Sequence, residues 1–261
     1  MTTDGEAGVA RPLGIICALP EEIEHLHAGL NAGGDETVGG YRFARGRLDG
    51  VPVVLVESGI GKVASALAAS LLCDHFRCRS LLFSGVAGGL DPALGVGDVV
   101  IGERVIQHDY GALQDGGLRS YRPGTVPIGE PVAPLAFETD PALLDRVRGA
   151  LAALTLPELP AAATGETARQ PRIHFGTIVS GDQFINSEAV RRRLFADFAG
   201  RAVEMEGGAI AQVTERFGCP LLVVRSLSDL AGGHSHLDFG EFLHHASATA
   251  ALVVRRLVPV L

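Results

Sequence analysis

No apolar run in the sequence reaches the roughly 18 to 20 residues needed to cross a bilayer, and no basic-then-apolar leader opens it. The chain is therefore expected to stay off the membrane and in the cytoplasm. Its four cysteines, Cys17, Cys73, Cys78 and Cys219, form no CxxC pair and no Cys/His group of metal-ligand spacing. They fall in or beside apolar runs and read as reduced core thiols. Positive charge is scarce, with 22 Lys and Arg against 30 Asp and Glu and a net charge of -8. That balance argues against a nucleic-acid backbone or an anionic surface as the main partner and favours a small neutral or cationic ligand. Neither P-loop nor GxGxxG spacing occurs, so a nucleotide-phosphate site is not expected. Linkers, internal repeats and low-complexity tracts are missing too.

The 261 residues are 47% hydrophobic and 20% charged, enough to bury one large core. Residues 1–11 are small and polar and are expected to form a loose tail, leaving 12–261 as a single domain. From Leu13 onward, compact apolar runs alternate with helical patterns, the mark of a layered α/β fold. Leu13 to Leu19, Val51 to Glu57, Ser80 to Val86, Val96 to Ile106, Ile173 to Ser180 and Pro220 to Leu227 read as strands. Their near-continuous hydrophobicity calls for a sheet covered on both faces. Glu21 to Leu30, Lys62 to Phe76, Pro141 to Leu154, Ser187 to Phe198 and Gly207 to Phe217 read as helices. A last helix from about Asp238 carries one apolar stripe at spacings of three and four. Residues 111–136, rich in Gly and Pro, and 157–172, rich in Ala, Thr and Pro, read as long surface loops.

Ligands of open α/β sheets bind at the carboxyl ends of strands, so the polar residues that follow the apolar runs are the candidates. Ala18-Leu19-Pro20-Glu21-Glu22 suits a helix start as well as a site. Ser58-Gly59-Ile60-Gly61-Lys62 and Ser84-Gly85-Val86-Ala87-Gly88-Gly89 suit either tight turns or close backbone approach to a ligand. Val179 to Ile185 and Ala202 to Gly208 supply Asp182, Glu204 and Glu206. If the chain there is extended, Glu204 and Glu206 point to opposite faces and at most one meets a ligand. Arg225-Ser226-Leu227-Ser228-Asp229 ends a strand with a carboxylate that a neighbouring hydroxyl can orient, suited to acid catalysis or to capping the next segment.

Taken in order, ALPEE, SGIGKVASA, SGVAGGL, GDVV, VSGDQFI, VEMEGGAIAQV and SLSD resemble the purine nucleoside phosphorylase/hydrolase superfamily, with the nearest likeness to its 5'-methylthioadenosine/S-adenosylhomocysteine nucleosidases. The resemblance runs from about Gly14 to Leu257, apart from the two long loops. It implies a three-layer αβα domain around a central mixed β-sheet, a homodimer, and hydrolysis of the bond between adenine and a 5'-modified ribose with no metal or organic cofactor. It makes Asp229 the acid that protonates the adenine ring, with Ser228 holding it, and Glu22 the group that deprotonates the attacking water, with Arg225 close by. Glu206 is implied as the ligand of the ribose hydroxyls and Met205 as a neighbour of the sugar. Phe184 and Ile185 form the adenine side, Val86 and Ile60 belong to the substrate pocket, and Phe239 packs near the base or the 5' group. Some family members have serine where this chain has Val86, and Gln107-His108-Asp109-Tyr110-Gly111 fits the methylthioadenosine enzymes poorly. Sibling hydrolases of futalosine-like or adenosylhopane-like nucleosides, and a phosphorylase, are the alternatives.

The chemistry agrees with that assignment. Breaking an N-ribosidic bond builds positive charge on the sugar and negative charge on the base, so carboxylates at one end and a proton donor at the other stabilise the transition state. Glu21 and Glu22 stand where a phosphorylase would bind phosphate, and a carboxylate beside phosphate is repelled while it activates water. Five histidines, His108, His234, His236, His244 and His245, invite a metal, yet adjacent His244 and His245 cannot share a helix face and no three converge, so none is expected.

Overall fold

The computed structural model describes residues 10–159, 169–232 and 235–261, with the side chains of 235–239 and of 241 outside that description. Twelve strands are present among the described residues: β1 (Leu13–Cys17), β2 (Leu30–Val38), β3 (Tyr41–Leu48), β4 (Val51–Glu57), β5 (Ser80–Gly89), β6 (Val99–Gln107), β7 (Gly111–Gln114), β8 (Gly117–Ser120), β9 (Phe137–Glu138), β10 (Ile173–Ser180), β11 (Gly200–Glu204) and β12 (Leu221–Asp229). The helices are α1 (Pro20–His27), α2 (Lys62–Asp74), α3 (Pro141–Leu151), α4 (Glu188–Phe198), α5 (Gly207–Phe217) and α6 (Ser235–Leu257).

The main sheet runs β11-β10-β6-β12-β5-β1-β4-β3-β2. It is mixed: β4, β1, β5 and β12 are parallel, whereas β6 runs antiparallel to β12. Both faces are covered, which explains the unbroken apolar runs. On one face Leu13, Ile15, Leu55, Leu82 and Val224 pack with Leu26 of α1, Val147 of α3 and Val254 of α6. On the other, Ile16, Val54, Phe83 and Val223 pack with Leu72 of α2 and Ile210 of α5. The successive residues Ile15 and Ile16 thus serve opposite layers, as strand alternation requires.

One end of the sheet curls back on itself. Strand β11 pairs with β10 on one side and, through Ala202↔Gly89 and Val203↔Gly88, with β5 on the other. Strands β5, β12, β6, β10 and β11 therefore form a closed ring. The ring carries the carboxyl end of β11 over to those of β5 and β12, and that is where the site lies.

Several expectations need correction. The first helix stops at His27, and residues 30–48 form a hairpin, β2–β3, that the sequence did not announce. Strand β2 is mostly exposed and carries Gly33, Gly34, Asp35 and Glu36, so it lacks the apolar alternation by which strands are read. The stretch 111–136 is not all loop, since β7 and β8 pair within it as a short hairpin. Arg11, assigned to the tail, is tied to the carbonyls of Arg77 and Cys78 at 2.6 and 3.0 Å, while residues 1–9 lie outside the described part. Of the 157–172 loop, Leu159 and Arg169 form an isolated bridge, and 160–168 are outside the description.

Leu82 is fully buried between the two layers. Leu82→Ala is expected to cost about 3 kcal/mol, from lost burial and the cavity left behind. A lowered urea midpoint at unchanged m-value is the readout, and a midpoint equal to wild type would show that this strand is not where the core sits.

Candidate active site

At the carboxyl end of the sheet lies a cavity of about 600 Å³, open mouth included. Glu22, Ile60, Val86, Phe184, Ile185, Met205, Glu206, Ser228 and Asp229 line it, together with Ala18, Leu19, Ala87, Gly88, Gln183, Val203 and Glu204. The sequence places these residues on six separate stretches, and the fold brings them to one cavity. Arg225 stands just behind them, fully buried. The side chain of Phe239, on α6, lies outside the described residues.

Arg225 organises the acids. Its Nη2 donates to Glu204 Oε2 at 2.5 Å and to Glu206 Oε2 at 3.2 Å, and its Nη1 lies 4.0 Å from Glu22 Oε1. The guanidinium also stacks on Phe83, 3.7 Å from the ring centroid. Burial works to lower the Arg225 pKa, but Glu204, Glu206 and Glu22 outweigh it and hold the guanidinium charged more firmly than usual. Space for this group exists because residue 85 is glycine: a Cβ there would sit 2.2 Å from Arg225 Nη1 and 2.4 Å from Glu22 Oε1.

Glu22 does two things at once. As the third residue of α1 its Oε2 accepts from the N–H groups of Ala18 and Leu19 at 2.7 and 3.0 Å, and its Oε1 accepts from Val86 N at 2.9 Å. The same carboxyl thus binds the N–H groups before α1 and faces the cavity. Oxygen Oε2 has both lone pairs occupied, while Oε1 keeps one for a further donor. Burial raises the Glu22 pKa against the pull of Arg225 and those three N–H groups.

Glu206 and Glu204 depart from the expected arrangement. The chain is not extended through both: β11 ends at Glu204, and Glu206 is the N-cap of α5 with φ -132° and ψ -43°. Both carboxylates consequently reach the same arginine nitrogen. Glu204 is held inside by the Ser180 hydroxyl and by the N–H groups of Glu206 and Gly207 at 3.2 and 2.7 Å. Glu206 accepts from Gly61 N at 2.9 Å with Oε1 and from Met205 N at 3.3 Å with Oε2. Its pKa is pushed up to about 7, first by burial and then by Glu204. Sequence reasoning passed over Glu204 because strand alternation turned it away; the glycines behind it, Gly207 and Gly208, are the signal that the strand ends there.

Asp229 closes β12. Its Oδ2 accepts from the Ser228 hydroxyl at 3.0 Å and its Oδ1 from Ala231 N at 2.8 Å. Both Ser228 and Asp229 are buried. The described lining contains no lysine or arginine, and no group of three or more His, Cys, Asp or Glu among the described residues could hold a metal ion. His234 and the side chain of His236 lie outside that description.

Fold and site together define an α/β protein with buried carboxylates gathered at a strand-end cavity. Residues 12–259 match the model of the phosphorylase superfamily. The chain is 48% identical, over 97% of its length and 99% of the other's, to a 5'-methylthioadenosine/S-adenosylhomocysteine nucleosidase of Mycobacterium tuberculosis. The same-named enzyme of S. pneumoniae, solved with a transition-state inhibitor, superposes with a TM-score of 0.79 at 32% identity, covering 95% of this chain and 98% of that one. A futalosine hydrolase of Helicobacter pylori gives 0.79 at 28% identity, with 96% and 98% covered. The chain belongs to the phosphorylase superfamily, in its group of 5'-methylthioadenosine/S-adenosylhomocysteine nucleosidases, enzymes of the N-glycosyl hydrolase class.

The raised Glu206 pKa fixes the sign of a pH effect. A carboxyl whose folded pKa lies above its unfolded value adds stability that is complete below about 4.5, the ordinary glutamate value, and is lost as pH rises through about 7. The stability of wild type relative to Glu206→Gln should therefore fall between pH 5 and pH 8, measured by urea midpoints. A difference independent of pH over that range would refute the shift.

Proposed function

We propose that this chain hydrolyses the N-ribosidic bond of a 5'-modified adenosine, methylthioadenosine or S-adenosylhomocysteine, and releases adenine. The observation that carries the proposal is the convergence of Glu22, Glu206 and Asp229 on one cavity. Asp229 donates a proton to the departing base, oriented by Ser228. Glu206 grips the ribose hydroxyls with its remaining acceptor, and Met205 lies along the sugar. Glu22 takes the proton of a water at the free lone pair of Oε1. Arg225 does not touch substrate in this scheme; it keeps three carboxylates close enough to surround a developing cation. Phe184, half exposed at the cavity wall, stacks on the base, beside buried Ile185. Ile60 and Val86 line the sugar side, Val86 offering Glu22 its backbone N–H in place of a hydroxyl. No cofactor enters the scheme.

Water rather than phosphate fits the charge. Arg225 is occupied by carboxylates, and phosphate would meet Glu22 with no cation to offset it. A second reading, hydrolysis of a futalosine-like nucleoside with a larger 5' group, is favoured by the likeness to futalosine hydrolase.

Further proposals concern the molecule's setting. Exposed Ile60, Val63 and Leu67 on and before α2, Leu113 and Leu118 on the β7–β8 hairpin, and Val126, Ile128 and Val132 beyond it offer apolar surface for a second copy of the chain. No helix among the described residues is long and apolar enough to cross a membrane, in keeping with a cytoplasmic enzyme.

Purified protein incubated with methylthioadenosine is expected to release free adenine at the same rate with and without phosphate, and Asp229→Asn should lower kcat by about 10² to 10⁴-fold. Appearance of a ribose 1-phosphate product would overturn hydrolysis. An unaltered kcat in Asp229→Asn would remove Asp229 as the acid, and cleavage confined to nucleosides with larger 5' groups would select the second reading.

A further inference from the structure

Three charged residues from the stretches around the cavity play no part in the scheme above, and they meet. Lys62 opens α2, Asp109 follows β6, and Asp182 follows β10. Lys62 Nζ lies 2.7 Å from Asp109 Oδ1 and 4.0 Å from Asp182 Oδ2. The backbone N–H of Lys62 donates to Asp182 Oδ1 at 2.8 Å, and that of Asp182 donates to Asp109 Oδ2 at 2.8 Å. Each of the three residues thereby holds the other two. The Lys62 and Asp109 side chains are largely buried, at 19% and 12% exposure, so the pair is far less screened than a surface ion pair.

The closed set joins walls of the cavity that no strand pairing joins. Residue 61, next to Lys62, donates its N–H to Glu206 Oε1, and Ile60 lines the cavity. Gln183, Phe184 and Ile185, next to Asp182, line it as well. Two local features let the segments meet. The turn at Gly181 presses against the buried His108 ring, where a Cβ would lie 2.3 Å from Nε2. Burial lowers the His108 pKa, which suits a ring close to Lys62 and Arg193.

We propose that Lys62 is a positioning residue for the reaction: with Asp109 and Asp182 it clasps the 58–62 segment to the 181–185 segment and so sets the spacing between the sugar side and the base side of the cavity. This rests on the functional reading above for the identity of the substrate, but not for the clasp itself. Lys62 acts through Gly61 and Glu206 on one side and through the 183–185 wall on the other. Both walls meet the nucleoside before any bond breaks, so loosening them weakens ground state and transition state alike and appears in KM more than in kcat.

The test compares Lys62→Met, which keeps the stem and removes the charge, with Lys62→Arg, which restores it. Lys62→Met is expected to raise KM for methylthioadenosine at least 10-fold with kcat within 3-fold of wild type, and Lys62→Arg to recover most of the loss. Amide hydrogen exchange, read without substrate on peptides covering 58–62 and 181–185, should accelerate in both segments in Lys62→Met and in neither in Lys62→Arg. Unchanged exchange in the 181–185 peptide of Lys62→Met would overturn the clasp, as would a loss confined to kcat. If wild type fails to cleave methylthioadenosine, the functional reading falls and the exchange result alone decides the clasp. A Lys62→Met protein that does not fold passes the test to Asp109→Asn, which removes the partner charge and is expected to give the same exchange pattern.

Discussion

A single buried cation governs this molecule. Arg225 is fully buried and has three carboxylates within 4.0 Å. Without it, Glu22, Glu204 and Glu206 would be like charges crowded in a low-dielectric space, and breaking a buried pair of this kind costs about 3–5 kcal/mol. The set remains over-supplied with negative charge even so. One guanidinium faces three acids, and burial raises the pKa values of Glu22 and Glu206, with Glu204 adding to the rise at Glu206. A pocket whose walls hold surplus negative charge favours a ligand that becomes cationic as it reacts. In the proposed reaction, stability and function place opposite demands on the same residues, with Arg225 as the compromise between them.

The fold serves that arrangement through the closed ring of β5, β12, β6, β10 and β11. An open sheet would leave the end of β11 far from β12, but the pairing of β11 with β5 brings Glu204 beneath Arg225. Helices α2 and α5 then start side by side at the cavity, Gly61 and Glu206 at their first turns sharing one hydrogen bond. Gly85 admits the guanidinium and the Glu22 carboxyl to the face of β5, where any side chain would collide with both. Positions of this type tie the layout of the backbone to the placement of charge.

Much of this was legible in the residues. The continuous apolar runs around Ile15, Leu82 and Val223 declare a sheet covered on two sides, and SLSD, VEMEGG and ALPEE name acids that the structure gathers. What escaped follows from the limits of local pattern. Strand β2 hides because its exposed residues from Asn31 to Asp35 have no buried face to reveal. Glu204 was misjudged because alternation presumes an extended chain, and the chain turns into α5 one residue past Met205. Lys62, Asp109 and Asp182 stand in motifs that the sequence displays, yet their association exists only once three loops share one rim. The helix-start and active-site readings of Glu22 are compatible in the folded chain, where the same carboxyl accepts the N–H groups of Ala18 and Leu19 and lines the cavity.

The most direct measurement of the central claim is a crystal structure of the Asp229→Asn protein with methylthioadenosine bound. The account requires the ribose hydroxyls on Glu206, a water within hydrogen-bond distance of Glu22 Oε1 and below the sugar carbon that bears the base, and the adenine between Phe184 and residue 229. Arg225 should remain on its carboxylates without touching the nucleoside. A nucleoside bound with its ribose away from Glu206, or Arg225 swung out to contact it directly, would contradict the account.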